Sequence, residues 1–350
     1  MLVGCGPADT ALCSGVGVIC RVAGSGLPAF DGDGKPADHS ALYLPSAVRR
    51  GPDGLTYVMD FNNHRLRRID TDGALRTVVG VGLHAIAVEG ANALATPLEN
   101  PNDFGFDAAG RVVLIAYHDP RILRVGDDGA IEVLAGTGDV GDDGDDGPAR
   151  SARFTQTAAM AIAADGRVAV SDDLAQRVRV LEDGIVKAVA GVSGIAGSKG
   201  DGGPAKLAQL DAPRGLAFDM QGALYIADSG NHRIRCVAPG GTITTVVGNG
   251  SAGFGGDGGP ALAASLKGPE GLAFGADGSL YIADTGNHRV RHVDTNGIIT
   301  TVAGSEAGFA GDGGPAVLAQ LHSPSNVSAT EDALYVADQR NHVARVILLR

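Results

Sequence analysis

The chain contains no tryptophan, only 4% aromatic residues and four cysteines in 350 positions. No run approaches the roughly 20 consecutive apolar residues that a membrane-spanning helix needs. Cationic charge is also scarce: 28 Lys and Arg against 40 Asp and Glu give a formal net charge of −12. That balance opposes nucleic-acid binding, which rests on neutralising phosphates, and opposes adsorption to anionic membranes. Three compact catalytic signatures are missing as well: GxSxG, HExxH and a phosphate-binding loop.

What the chain has is glycine, 54 residues of it, and repetition. "YIADSGNHRIRCV" from Tyr225 returns as "YIADTGNHRVRHV" from Tyr281, and Arg65, Arg121, Arg177, Arg233 and Arg289 stand 56 residues apart. A sixth copy, "LYVADQRNHVARVI", ends the chain. Within a unit, four short apolar runs are separated by Gly, Asn and Asp turn signals, as in "EGLAFGADG", "SLYIADTGN", "HRVRHVDTNG" and "IITTVAGSE". Each unit therefore reads as an antiparallel meander of strands a to d, and six units predict an all-β, six-bladed propeller. The last unit stops before its d strand, whereas the N-terminal "VICRVAG" matches "IITTVAG". Residues 18–350 are thus expected to form one ring, closed by the N-terminal strand, with 1–17 as an extension. An open β-solenoid is the competing fold and would not need a split blade.

The motifs "NNHRLRRI", "GNHRIRCV", "GNHRVRHV" and "RNHVARVI" resemble those of NHL-repeat propellers. With the "GDGGPA" segments, the longer pattern is similar to bacterial NHL proteins and to the propeller of teneurin-type surface proteins. The resemblance covers nearly the whole chain and implies the fold. Of function it implies only a choice: many such propellers recognise partners, whereas some relatives are zinc lyases or calcium lactone hydrolases.

Residues repeated in register are expected to be structural. Asp60, Asp172, Asp228, Asp284 and Asp338 close strand b, where they bond turn amides and pair with arginines of the Arg233 type. His64, His232, His288 and His342 share one turn position, too far apart by symmetry for a common zinc. Asp33, Asp145, Asp201, Asp257 and Asp312 recur in the GDGGPA segments, read as inter-blade turns; calcium is the metal their oxygens admit, and no cofactor is predicted.

Meander geometry places the starts of strands a and c and the ends of b and d on one face, which should also carry the GDGGPA segments. Strand a is innermost, so the position after its leading proline rings the channel mouth: Ser46, Asn102, Ala158, Arg214, Glu270 and Ser325, flanked by Asp103 and Asn326. This set is polar and varies from blade to blade. The candidate ligand-binding residues are Asn102, Asp103, Arg214, Glu270, Ser325 and Asn326, with the irregular histidines His118 and His322. The second repeat departs furthest. Ala116 replaces its ring aspartate, "AYHDPR" replaces "ADSGNHR", and "VGLHAIAVEGANALATPLENP" carries His84 in place of the Gly-Asp-Gly pattern.

These features favour a non-catalytic, monomeric recognition propeller for a protein, glycan or small polar ligand, with no nucleic-acid partner and no membrane insertion expected. The alternative is a metal-dependent lyase or lactonase-like hydrolase with its site at the channel mouth. The first twenty residues lack a secretory leader's basic and apolar segments, so the chain is expected to be cytoplasmic or to have lost a leader. One disulfide among Cys5, Cys13 and Cys20 would favour an extracellular or periplasmic setting.

Overall fold

The computed structural model describes residues 13–350 and shows six antiparallel sheets arranged as the blades of a propeller. Blade one runs Pro45–Arg50, Thr56–Asp60, Arg65–Ile69 and Ala74–Val79, strands a to d. Blade two is Pro101–Phe106, Val112–Ala116, Asp119–Val125 and Ile131–Ala135. Blades three to five repeat the order from Thr157, Pro213 and Leu272. Blade six takes Pro324–Ala329, Ala333–Asp338 and Val343–Leu348 from the C-terminus. Its d strand is Val18–Ala23, which pairs Ile19 with Ile347 and Cys20 with Val346.

The first strands of successive blades pack against one another around the full circle, including blade six against blade one. Strand a is therefore innermost and the ring is closed. Cys13 and Cys20 form a disulfide at the start of the closing strand, with Cα atoms 6.0 Å apart; Cys5 lies outside the described residues.

Both faces of each blade are apolar because every blade is covered by two neighbours. The core consists of six inter-blade layers, such as Met59 and Leu66 of blade one against Phe104, Leu114 and Leu123 of blade two. Strand b of blade five, "LYIAD", is buried at all five positions, which explains the apolar run of its first four residues.

The GDGGPA segments do not remain on the face where the sequence reading put them. Gly259–Pro260 pairs with Ile299 and Ile298, the first residues of strand d in blade five, and its counterparts do the same in blades one, three and six. The segment has to pass from one blade's outer strand to the next blade's inner strand. On the way it covers backbone groups that an outer edge would otherwise leave unpaired. Gly256 has φ +89°, and a Cβ there would lie 2.7 Å from the Cα of Ala264; only glycine permits that approach.

Candidate functional site: the loop-bearing face

Each regular blade is locked by one buried guanidinium. Arg235, fully buried, lies 2.8 Å from Asp201 of the GDGG segment and 3.5 Å from ring Asp228; Arg67, Arg291 and Arg345 repeat the arrangement. The ring aspartate's partner is thus the second arginine of the motif and not Arg233, which reaches back to the Asn231 carbonyl. Asp228 faces Arg233 directly across the ladder, and Arg235 reaches it diagonally on the same face with a longer span. Asp228 also accepts from Asn231 and from the Asp211 amide. Phe254 stacks over Arg289 and Arg291, with centroids 4.0 and 5.0 Å from the guanidinium carbons.

The b–c turn holds a second surprise. Positive φ falls on the histidine and not on the preceding Gly or Asn: +56° at His232, +58° at His288 and +58° at His342. Histidine is among the residues enriched in that region. The strain secures a contact between blades, because Nδ1 of His232, His288 and His342 accepts the amides of Gly268, Ser323 and Leu44.

Blade two lacks the entire lock. Leu123 stands where the buried arginine would be, Ala116 replaces the ring aspartate, and Glu89 takes the GDGG position and pairs with exposed Arg150. The charges have left together, as the cost of an unpaired buried ion requires. A shorter pair, Arg121 with Asp119 at 2.6 Å, replaces them, and both residues also hold the Ala87 backbone.

Around the channel mouth, several candidate residues bond to the next blade. Ser325 Oγ donates to the Ser46 carbonyl at 3.1 Å, and Asn102 Nδ2 donates to the Thr157 and Ala158 carbonyls at 2.9 and 2.7 Å. Deeper in, Arg49 meets buried Asp103 at 3.0 Å and the Asn326 side-chain oxygen at 3.4 Å. Burial pushes the Asp103 carboxyl up, against the pull of Arg49. Arg214 joins Glu270 at 3.4 Å and Asp173 at 3.8 Å.

Asp173 was not singled out from the sequence. It occupies the variable position after the ring aspartate, as do Tyr117, Ser229 and Thr285 in other blades. The Ser229 and Thr285 hydroxyls bond the carbonyls of Pro269 and Pro324 at the start of the next strand a. Asp173 is 6% exposed, and its Oδ1 has no hydrogen-bond partner; nor does the side-chain oxygen of Asn102. Burial raises the Asp173 carboxyl, opposed by Arg214, and raises Glu270, opposed by Arg214 and Arg340. Tyr117 belongs to the same group: burial raises its phenol, Asp173 and Glu270 add to the shift, and Arg214 and Gln156 oppose it.

His118, beside Tyr117 with ring centroids 5.1 Å apart, turns away from the channel toward the seam between blades one and two. There it meets His84 and Glu99. His84 Nε2 is 2.6 Å and His118 Nδ1 3.4 Å from Glu99 Oε1. His322 lies elsewhere, with its ring 5.5 Å from that of His288. Glu99 escaped the sequence reading. Its signal was that it shares the irregular second repeat with His84 and His118.

The protein-family comparison matches residues 194–253 and 251–308 to the Teneurin NHL domain. Among curated proteins, NHL repeat-containing protein 2 of Bos taurus is 29% identical over 283 residues, covering 69% of this chain and 38% of that protein. Teneurin-4 of Mus musculus is 29% identical over 355 residues, covering 89% of this chain and 12% of its own length. The chain therefore spans well under half of these relatives. Among solved structures, an inactive variant of virginiamycin B lyase from Staphylococcus aureus, with quinupristin, superposes with a TM-score of 0.54. It is 14% identical, and the match covers 87% of this chain and 80% of that one. A gluconolactonase from Xanthomonas campestris superposes with a TM-score of 0.59 at 16% identity, covering 88% and 87%. Identities this low speak for the fold alone. With the repeats, the matched domain and the closed ring in agreement, this chain is a six-bladed NHL-repeat β-propeller.

Proposed function

We propose that this propeller is a recognition module that binds a small polar ligand, or the polar tip of a protein or glycan, at the channel mouth on the loop-bearing face. One observation carries the reading: Asp173 is buried beside Arg214, yet one of its carboxylate oxygens has no partner. A buried acceptor left unpaired costs about 1–3 kcal/mol, so a donor-bearing ligand gains by meeting it. The unpaired Asn102 oxygen lies in the neighbouring blade, and Arg214 offers donors for an anionic group. A few convergent polar groups in a concave mouth suffice for such recognition. The Cys13–Cys20 disulfide supports an oxidising compartment for the chain.

The test is a thermal-shift screen with free amino acids, dipeptides, monosaccharides and disaccharides, run on the parent chain and on Asp173→Asn and Arg214→Ala. A stabilising ligand whose effect disappears in both variants supports the reading. No stabilisation by any of these probes, or a shift that survives both substitutions, overturns it.

A second reading, metal-dependent lyase or lactone hydrolysis, draws on Asp173, Glu270 and Tyr117 as proton-transferring groups at the same mouth. Turnover of a lactone or cyclic-depsipeptide probe, abolished by Asp173→Asn, is the outcome that would favour it.

A further inference from the structure

The geometry points to a transition-metal site on the loop-bearing face, at the seam of blades one and two: we propose that His84, Glu99 and His118 together bind one divalent cation of the zinc class. The nearest ligand atoms of the three residues all lie within 4.8 Å of one another. Donors around a tetrahedral zinc, with bonds of about 2.0–2.1 Å, stand roughly 3.3–3.5 Å apart. The 3.4 Å separation of His118 from Glu99 matches that value, and the 2.6 Å separation of His84 from Glu99 is shorter, so closure around an ion would need the His84 ring to swing outward.

The donor chemistry selects the metal. Two imidazoles and one carboxylate suit zinc, cobalt, nickel or copper, whereas calcium and magnesium prefer all-oxygen sets. His84 and His118 are 53% and 55% exposed, so an ion held there would keep an open coordination position toward solvent.

Two features distinguish this group from incidental surface histidines. The first is the environment of His84 Nε2, which meets Glu99 Oε1 and the Asn100 side-chain oxygen, both at 2.6 Å. A ring nitrogen carries at most one proton, so two short oxygen contacts on it exceed what hydrogen bonding can fully satisfy. A nitrogen crowded by oxygens is the arrangement of a cation's coordination shell. The second is His64, whose ring centroid is 4.8 Å from that of His84 and whose buried Nδ1 has no partner. In three other blades the same nitrogen accepts an amide from the following blade. At this seam the contact is given up, and the Asn100 side chain turns to His84 instead.

The repeat does not supply these ligands elsewhere. Where His84 stands, other blades have Pro28, Val140, Ala196, Ala252 and Ala307. Where His118 stands they have Asn62, Leu174, Gly230, Gly286 and Arg340. An inter-blade segment and a b–c turn have each changed in one blade, and the changes meet at one point.

The inference is independent of the channel-mouth reading, since none of its three ligands lines the mouth. Its test is isothermal titration of the untagged, chelator-stripped full chain with zinc chloride, together with the visible spectrum of the cobalt-loaded protein. The expected result is one ion per chain and a cobalt d–d band with imidazole and carboxylate character. His84→Ala and His118→Ala should each weaken zinc binding by at least about tenfold, and Glu99→Gln should also weaken it. His39→Ala, at an exposed histidine elsewhere, should have no effect. The metal-free melting temperature of the three ligand variants should match that of the parent. Substoichiometric uptake, or binding that survives His84→Ala and His118→Ala, overturns the assignment. So does equal affinity for calcium.

Discussion

The guanidinium of Arg291 has no solvent exposure and bridges two carboxylates, Asp257 at 2.6 Å and Asp284 at 3.3 Å. Removing Asp284 alone leaves a buried positive charge half compensated. Asp284→Ala should therefore destabilise the protein by about 3–5 kcal/mol. Blade two shows the remedy, with alanine and leucine at the two equivalent positions. The pair Asp284→Ala and Arg291→Leu should thus recover more than half of the loss. Denaturant melts of the two single variants and the double variant would check this; additive losses would show that the two groups are not coupled.

Much of the scaffold was legible because it is written in register. The 56-residue spacing, the four apolar runs and the displaced "VICRVAG" led to six blades and a split closure, and Val18–Ala23 does complete blade six. The lock was only half legible. Strand register puts Arg233 opposite Asp228, but reach and burial give the contact to Arg235. The left-handed histidine was hidden because the turn's Gly and Asn are the better-known carriers of positive φ. The convergence of His84, Glu99 and His118 could not be read at all from local pattern, since it depends on where an inter-blade segment returns in space. What the sequence did mark was the blade to inspect.

Acidification should at first stabilise this fold. Burial lifts the carboxyls of Asp60, Asp228 and Asp338 to about 6. Their contribution is complete below the unfolded value near 3.8 and is lost as pH rises through about 6. Asp107, Asp165 and Asp294 behave oppositely: hydrogen bonding holds them low, so their contribution exists above 3.8 and is lost as pH falls further. The melting temperature should peak at about pH 4 and decline until about pH 6–7, above which these groups add no further change. Relief of the net charge of −12 acts in the same direction, but salt screens it. The decline should persist at high salt and flatten in Asp228→Asn. A melting temperature that climbs steadily from pH 5 to 8 would contradict the assignment.

Calcium should leave stability unchanged. Asp257 gives one oxygen to Arg291 and the other to Thr301, at 2.6 and 2.7 Å, and Asp201 is divided the same way between Arg235 and Thr245. An ion could enter these loops only by displacing a guanidinium from a buried pair. Melting curves with millimolar calcium and with a calcium chelator are expected to superimpose. A stabilising shift with calcium would mean that the GDGG loops open around it.

The closing strand depends on its staple. Among the described residues, Val18–Ala23 is the segment through which the N-terminal part completes the ring, and Cys13 is tied to Cys20 within it across a separation of seven residues. A loop of that size contributes about 2–3 kcal/mol through chain entropy. Reduction, or Cys13→Ser with Cys20→Ser, should lower the melting temperature by several degrees. The loss should be concentrated at one seam, because blades one to five have all four strands contiguous in sequence. Hydrogen exchange offers the sharper check: amides of Val18–Ala23 and of its partner Val343–Leu348 should exchange faster after reduction, while strand c of blade four, Arg233–Val237, keeps its protection. Uniform loss of protection around the ring would instead mean that the propeller opens as one cooperative unit and that the split blade is not its weak seam.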